Sequence, residues 1–232
     1  MTKNNIVVAR ISSTAGKKIG AVIYYSEPPT DRLAILCPGY LDTKSYDHLR
    51  KLAETLVLCG CTVVVFDPIG TWGSEGTISD YLTSQYLDDI GSILEYMLSQ
   101  KDYTHIILVG HSRGGMVSIL YAARDPRISL VIGIMPSSGR PLTSSKLEEW
   151  KRDGFSISLR DIPGSSEQKE FKVPYAHIVD RDNFDVVKEV KNVHVPIILM
   201  AGELDDMVPQ EDVKRIFDNA NEPKRFVLLN GI

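Results

Sequence analysis

Cysteine, excess positive charge and long apolar runs are all scarce in this chain. Three cysteines in 232 residues are too few for a disulfide framework, and Cys59-Gly60-Cys61 has no second pair with which to complete a tetrahedral zinc site. Cys37 closes the apolar run Leu33-Ala34-Ile35-Leu36 and Cys61 opens Thr62-Val63-Val64-Val65-Phe66, so the three read as reduced, mostly buried thiols. Lysine and arginine (26) are outnumbered by aspartate and glutamate (30), a formal net charge of −4. No basic field therefore draws phosphate backbones or anionic lipid, and nucleic acid and membrane surfaces drop out as partners. No apolar run approaches the roughly 20 residues that span a bilayer. Met1-Thr2-Lys3-Asn4-Asn5 leads straight into Ile6-Val7-Val8 without a signal-peptide core, which points to the cytoplasm.

What is present is enough apolar content, 43%, for one sizeable core, and the length suits a single domain over 1–232. Short β-branched runs alternate with segments of helical period, the pattern of a mostly parallel sheet covered by helices on both faces, an α/β fold. Eight strands are predicted: Ile6 to Ile11, Gly20 to Tyr25, Leu33 to Cys37, Thr62 to Asp67, His105 to Val109, Leu130 to Ile134, Pro196 to Ala201 and Arg225 to Leu229. The first two pair as an antiparallel hairpin. Helices are predicted over Tyr46 to Leu58, Ser79 to Gln100, Gly114 to Arg124 and Gln210 to Asn219. From Ser137 to about Asn192 the rhythm breaks into a charged, Ser-, Gly- and Pro-containing stretch with scattered aromatics, read as an inserted lid over residues 137–192.

Gly110-His111-Ser112-Arg113-Gly114-Gly115 follows the apolar strand Ile106-Ile107-Leu108-Val109 and precedes a helical run. A nucleophile on a sharp strand-to-helix turn needs small residues two before and two after it, and Gly110 and Gly114 supply them. Ser112 is the nucleophile this pattern implies. Acyl transfer also requires donors aimed at the developing oxyanion. The Arg113 backbone N–H lies at the helix start, and the Tyr40 N–H in the turn Cys37-Pro38-Gly39-Tyr40-Leu41-Asp42 is the second candidate, with the Tyr40 side chain lining the pocket.

These residues resemble the α/β-hydrolase superfamily from about Arg32 onward. Asp67-Pro68-Ile69-Gly70-Thr71-Trp72-Gly73-Ser74-Glu75-Gly76 is similar, with its spacing shifted by one, to a loop of the monoglyceride-lipase-like, serine-aminopeptidase-like and cinnamoyl-esterase-like members. Gly202-Glu203-Leu204-Asp205-Asp206-Met207-Val208-Pro209 resembles the family turn that carries the triad acid, which the resemblance assigns to Asp205. The implied architecture is the α/β-hydrolase fold: a mostly parallel eight-stranded sheet flanked by helices, with an inserted lid. The resemblance also implies a histidine shortly after the last strand and a final helix. Here Phe226-Val227-Leu228-Leu229-Asn230-Gly231-Ile232 supplies the strand and its glycine, and the sequence stops before the histidine and the helix.

Five histidines are available. His111 should project away from the Ser112 side chain, His48 belongs to a surface helix, and His105 opens one strand and His194 precedes another, both at the far end of the sheet. His177, at the end of the lid, is the one candidate base. Tyr40, His111 and His177 are expected to bind substrate. The activity implied is hydrolysis of short acyl or aryl (cinnamoyl-type) carboxylic esters through an acyl-enzyme on Ser112, impaired if the base is missing, with roughly 10³ to 10⁴-fold acceleration over water left by the oxyanion hole and binding. Amidase or peptidase chemistry uses the same parts, and a noncatalytic binding protein of the same fold is the reading from another class. No metal or organic cofactor is implied. A small-molecule ester is the expected partner, and a homodimer would cover the sheet left exposed by a missing helix.

Overall fold

A computed structural model describes residues 5–139 and 144–231; residues 1–4, 140–143 (within the expected lid) and 232 lie outside the description. The antiparallel hairpin is present as β1 (Asn5–Ser12) and β2 (Lys18–Tyr25), with Ala9 opposite Ala21. It leads into β3 (Arg32–Cys37), α1 (Asp47–Leu58), β4 (Thr62–Phe66), a 3₁₀ turn at Ile78–Asp80, α2 (Thr83–Gln100), β5 (His105–His111), α3 (Arg113–Ala122) and β6 (Ile128–Ile134). Between β6 and the next strand of the main sheet come α4 (Ser144–Asp153), β7 (Phe155–Asp161), β8 (Gln168–Pro174), α5 (Ala176–Arg181) and α6 (Val186–Glu189). The chain closes with β9 (Ile197–Gly202), α7 (Gln210–Asn219) and β10 (Lys224–Leu229).

The main sheet has eight strands in the order β1-β2-β4-β3-β5-β6-β9-β10, parallel from β4 to β10. This is the α/β-hydrolase fold expected from the sequence. All eight predicted strands and all four predicted helices are found, with shifts of a few residues at their ends. The physical reason lies in the middle of the sheet. Strands β3 and β4, β-branched and aliphatic almost throughout, are buried on both faces, as parallel strands under helices must be. On one face Phe66, Val64 and Ile35 pack with Tyr86, Ile90, Ile93 and Leu94 of α2 and with Val117 and Leu120 of α3. On the other, Leu49, Ala53 and Val57, spaced four apart on α1, cover Ala34, Leu36, Val63 and Val65, a stripe of helical period. Each such Leu or Val contributes about 1.5–3 kcal/mol by leaving water.

The excursion between β6 and β9 departs from the sequence reading, which assigned it no secondary structure. It contains a two-stranded antiparallel hairpin, β7 with β8, in the register Ser156↔Val173 and Ser158↔Phe171. Phe171 and Val173 point inward and join Leu41, Tyr81, Tyr40, Trp72, Ile78 and Trp150 in a separate apolar cluster. The alternation of Phe171 and Val173 with Glu170 and Lys172 carried this strand in the sequence; the many charged residues masked it. The cysteine reading also needs adjustment: Cys37 and Cys61 are buried, whereas Cys59, in the turn after α1, is exposed.

Asp89, inside α2, is wholly buried. Its carboxylate accepts the Ile69 backbone N–H at 2.8 Å and the Gln85 amide at 3.0 Å, tying the loop after β4 to the helix. Burial pushes the carboxyl up to about 7, so the folded state holds this proton more tightly than the unfolded chain. The resulting stability is full below about pH 4 and is lost as pH rises through about 7. Asp89→Asn removes the charge; its Oδ1 can still accept the Ile69 N–H, and its Nδ2 donates to Gln85 once that amide turns its Oε1 inward. It is expected to raise stability at pH 8 by about 1–4 kcal/mol and to flatten the pH dependence between 4 and 7 in urea unfolding; an unchanged profile would exclude this account.

Candidate active site

The site is built where β3, β5, β6 and β9 end together, at the carboxyl edge of the sheet, the usual ligand side of such folds. Between the last residue of β5 and the first of α3, Ser112 takes φ 52° and ψ −117°, a conformation costing about 1–3 kcal/mol that persists only when its surroundings enforce it. The enforcement is visible. The Ser112 N–H donates to Ile134 O at 2.9 Å, and Ser112 O accepts from the Ser137 and Met116 N–H groups at 3.0 and 3.2 Å. A Cβ on Gly110 would lie 2.2 Å from Gly114 O, and one on Gly114 would lie 2.0 Å from Cys37 O and 2.5 Å from Pro38 O. Both glycines are thus required by backbone packing, as the spacing in the sequence suggested. The Ser112 side chain is half-buried and, among the described residues, its hydroxyl makes no hydrogen bond.

The turn after β3 is held from several directions. Leu41, at φ 57°, donates its N–H to the Tyr81 hydroxyl at 2.9 Å; Tyr86 Oη donates to Pro38 O at 2.8 Å; and Arg160 Nη2 donates to Tyr40 O at 3.3 Å. Asp67, wholly buried at the end of β4, accepts from Thr43 Oγ1, Lys44 N and Gly73 N at 2.9 Å each and from the Lys44 ammonium. The two loops therefore share one carboxylate. The Tyr40 and Arg113 backbone N–H groups remain without hydrogen-bond acceptors among the described residues. The Tyr40 ring packs edge-on to His177 at 5.5 Å with the Arg160 guanidinium above it, and burial pushes its phenol up to about 12.

Asp205 sits three residues past the end of β9. Its Oδ1 accepts the Met207 and Val208 N–H groups at 2.9 Å, so the carboxylate folds its own turn. The end of β10 is stitched to that turn: Glu203 N–H donates to Leu229 O at 3.0 Å and Gly231 N–H to Glu203 Oε2 at 2.9 Å.

The histidines separate clearly. His105 lies against Asp31 at the start of β5, and His194 is exposed ahead of β9, both at the opposite edge. His177 opens α5 and is buried between the rings of Tyr81 and Trp150. Its Nδ1–H donates to Tyr81 O at 2.8 Å, while burial and the neighbouring Arg113 guanidinium hold its protonation down to about 3. Arg113 itself is buried, with its guanidinium 4.1 Å from the Tyr81 ring. His111 and His48 both turn toward Asp42. His48 is thus no isolated surface histidine: its exposed ring belongs to a cluster formed by α1, β5 and the loop between β3 and α1. Tyr81 and Asp42, which organise the two sides of the site, carried no motif that sequence reasoning could use.

A family model of the α/β-hydrolase fold matches residues 34–164, more than half of the chain, and the chain belongs to that family. It is 24% identical over 204 residues to the mouse mitochondrial palmitoyl-protein thioesterase ABHD10, covering 84% of this chain and 66% of that protein. The chain spans slightly less than two thirds of the length of the curated relatives it matches. Among solved structures it is similar to the α/β hydrolase GrgF of Penicillium sp. sh18 (TM-score 0.81, 19% identity, 98% of this chain and 90% of that one). It is also similar to Est1E of Butyrivibrio proteoclasticus with ferulic acid bound (TM-score 0.75, 21% identity, 96% and 90%). No helix of the described residues is long and apolar enough to cross a membrane.

Two outcomes follow from this geometry. Gly114→Ala should cost at least about 2 kcal/mol in denaturant unfolding, because the added Cβ meets rigid backbone, and a neutral effect would contradict the packing of the elbow. The neutral, buried His177 contributes stability that is full above about pH 6.5 and lost as pH falls through about 3. His177→Gln, able to donate to the same carbonyl, should remove up to about 5 kcal/mol of that acid sensitivity. Melting curves from pH 7 to 3 read it directly.

Proposed function

We propose that this chain carries the active site of a serine hydrolase that cleaves carboxylic esters or thioesters through an acyl-enzyme on Ser112. The observation that carries this reading is the Ser112 elbow, with its hydroxyl unengaged, the Arg113 N–H next to it in the chain without an acceptor, and the equally unoccupied Tyr40 N–H on the turn after β3, whose Cys37 and Pro38 carbonyls press against Gly114 of the elbow. In the reading, the Ser112 Oγ attacks the acyl carbon and its proton passes to a base. The two N–H groups bind the tetrahedral oxyanion, and the alcohol or thiol leaves with a proton, giving an acyl-serine that water then hydrolyses. Asp205 is the acid that orients the base. His177 suits that base role poorly: a general base works best near the operating pH, and an imidazole held at about 3 lies far below it.

The excursion with the β7–β8 hairpin serves as the lid, and its cluster of Tyr40, Tyr81, Trp72, Phe171 and Trp150 favours an apolar acyl or aryl-acyl group. The palmitoyl thioester named for the mouse protein and the ferulic acid bound to the Butyrivibrio protein belong to those proteins; they support an acyl or cinnamoyl-type substrate here. The cytoplasm remains the compartment proposed.

The test is acylation by p-nitrophenyl butyrate and by a short acyl-thioester, followed by intact-mass and peptide-mass analysis. The expected result is one acyl group on Ser112, absent in Ser112→Ala, with slow deacylation that added imidazole accelerates. Turnover that is already fast, independent of imidazole and abolished by His177→Gln would reassign the base to His177. No Ser112-dependent acylation, with or without imidazole, would replace the enzyme by a binding protein of the same fold.

A further inference from the structure

We propose that Asp42, His48 and His111 form a binding site for one divalent transition-metal ion of the zinc class, on the α1 side of the elbow. The three residues come from three elements: Asp42 from the loop after β3, His48 from the first turn of α1, and His111 from the last position of β5. Asp42 Oδ2 lies 3.6 Å from His48 Nε2 and 3.6 Å from His111 Nδ1, and the three ligand atoms all fall within 4.8 Å of one another. A separation of 3.6 Å is long for a hydrogen bond. It is close to the spacing of two donors on a single ion, since bonds of 2.0–2.1 Å at a tetrahedral angle place neighbouring ligand atoms about 3.3 Å apart.

Two further observations point to a ligand. His111 Nδ1 is buried and has no hydrogen-bond partner, an arrangement that requires an explanation in a folded protein. Beside it, a Cβ on Gly39 would stand 2.6 Å from Asp42 Oδ2 and 3.0 Å from His111 Nδ1. Bare backbone at position 39 thus leaves open the space into which those two atoms face. Two imidazoles and one carboxylate suit zinc, cobalt or nickel better than calcium or magnesium, which prefer all-oxygen sites. The His48 side chain is 55% exposed, so the ion has a route in and a fourth position open to water. His111 precedes Ser112 and Asp42 follows Tyr40 by two residues; the ion would tie the strand bearing the elbow to the turn bearing the second oxyanion donor. None of its ligand atoms comes from Ser112, Tyr40 or Arg113, so the proposal does not depend on the esterase reading.

The test uses the full chain, stripped with a chelator and dialysed. Zinc titration by calorimetry should show one saturable site, with a rise in melting temperature, and cobalt should give visible d–d absorption at the same stoichiometry. His48→Ala, at an exposed ring, should fold as the parent does and lower zinc affinity at least tenfold; Asp42→Asn should do the same. Absence of a saturable site, or binding unchanged in His48→Ala, would overturn the proposal, and the Ser112 acylation assay is read independently of either result.

Discussion

Everything at this site depends on three backbones being allowed to touch. The start of α3 presses against the end of β3, with the Gly114 Cα directed at the Cys37 and Pro38 carbonyls, and Gly110 meets Gly114 across the turn. With no Cβ at either position, the chain reverses within a few residues and Ser112 is left in a left-handed conformation. The strain is local. The two-sided burial of β3, β4 and β5 and the cross-strand bonds of Ser112 to Ile134 and Ser137 offset it. A rigid sheet therefore presents a serine that an isolated peptide would not hold in place.

Around that point the fold uses buried polar groups as fasteners. Asp67 joins the loops after β3 and β4, Asp89 joins the loop after β4 to α2, and Tyr81 fixes the Leu41 backbone. The two carboxylates are expensive to bury, a cost offset because each accepts from two or more donors at once, whereas the Tyr81 hydroxyl accepts one. The buried guanidinium of Arg113 is accommodated differently, by the faces of Tyr81 and Tyr86 and by contacts with His177 and Thr83. Burial first, and then this charge, keep His177 neutral.

The parts that were legible beforehand were those encoded by local rules. Gly-x-Ser-x-Gly after an apolar strand, β-branched runs and the four-residue spacing on α1 each report a constraint felt within about ten residues. The β7–β8 hairpin was missed because its outward positions alternate charged and apolar residues: Ile157 and Leu159 are exposed while Ser156 and Ser158 share the inward face with Val173 and Phe171. The surface against which its Phe171 and Val173 pack comes from Leu41, Trp72 and Tyr81, ninety or more residues earlier.

The cluster of Asp42, His48 and His111 marks the boundary most plainly. His48 was read as a surface-helix residue and His111 as a neighbour of the nucleophile, and no metal was expected, because no spacing motif links positions 42, 48 and 111. The sequence by itself determined the strands of the main sheet with the four helices that cover it, the elbow and the family, since those follow from periodicity and from the sterics of glycine. Only the tertiary structure decided which polar side chains meet. That depends on the crossing of β3, β5 and α1 at one corner of the sheet, a relation between distant segments that local physics does not express.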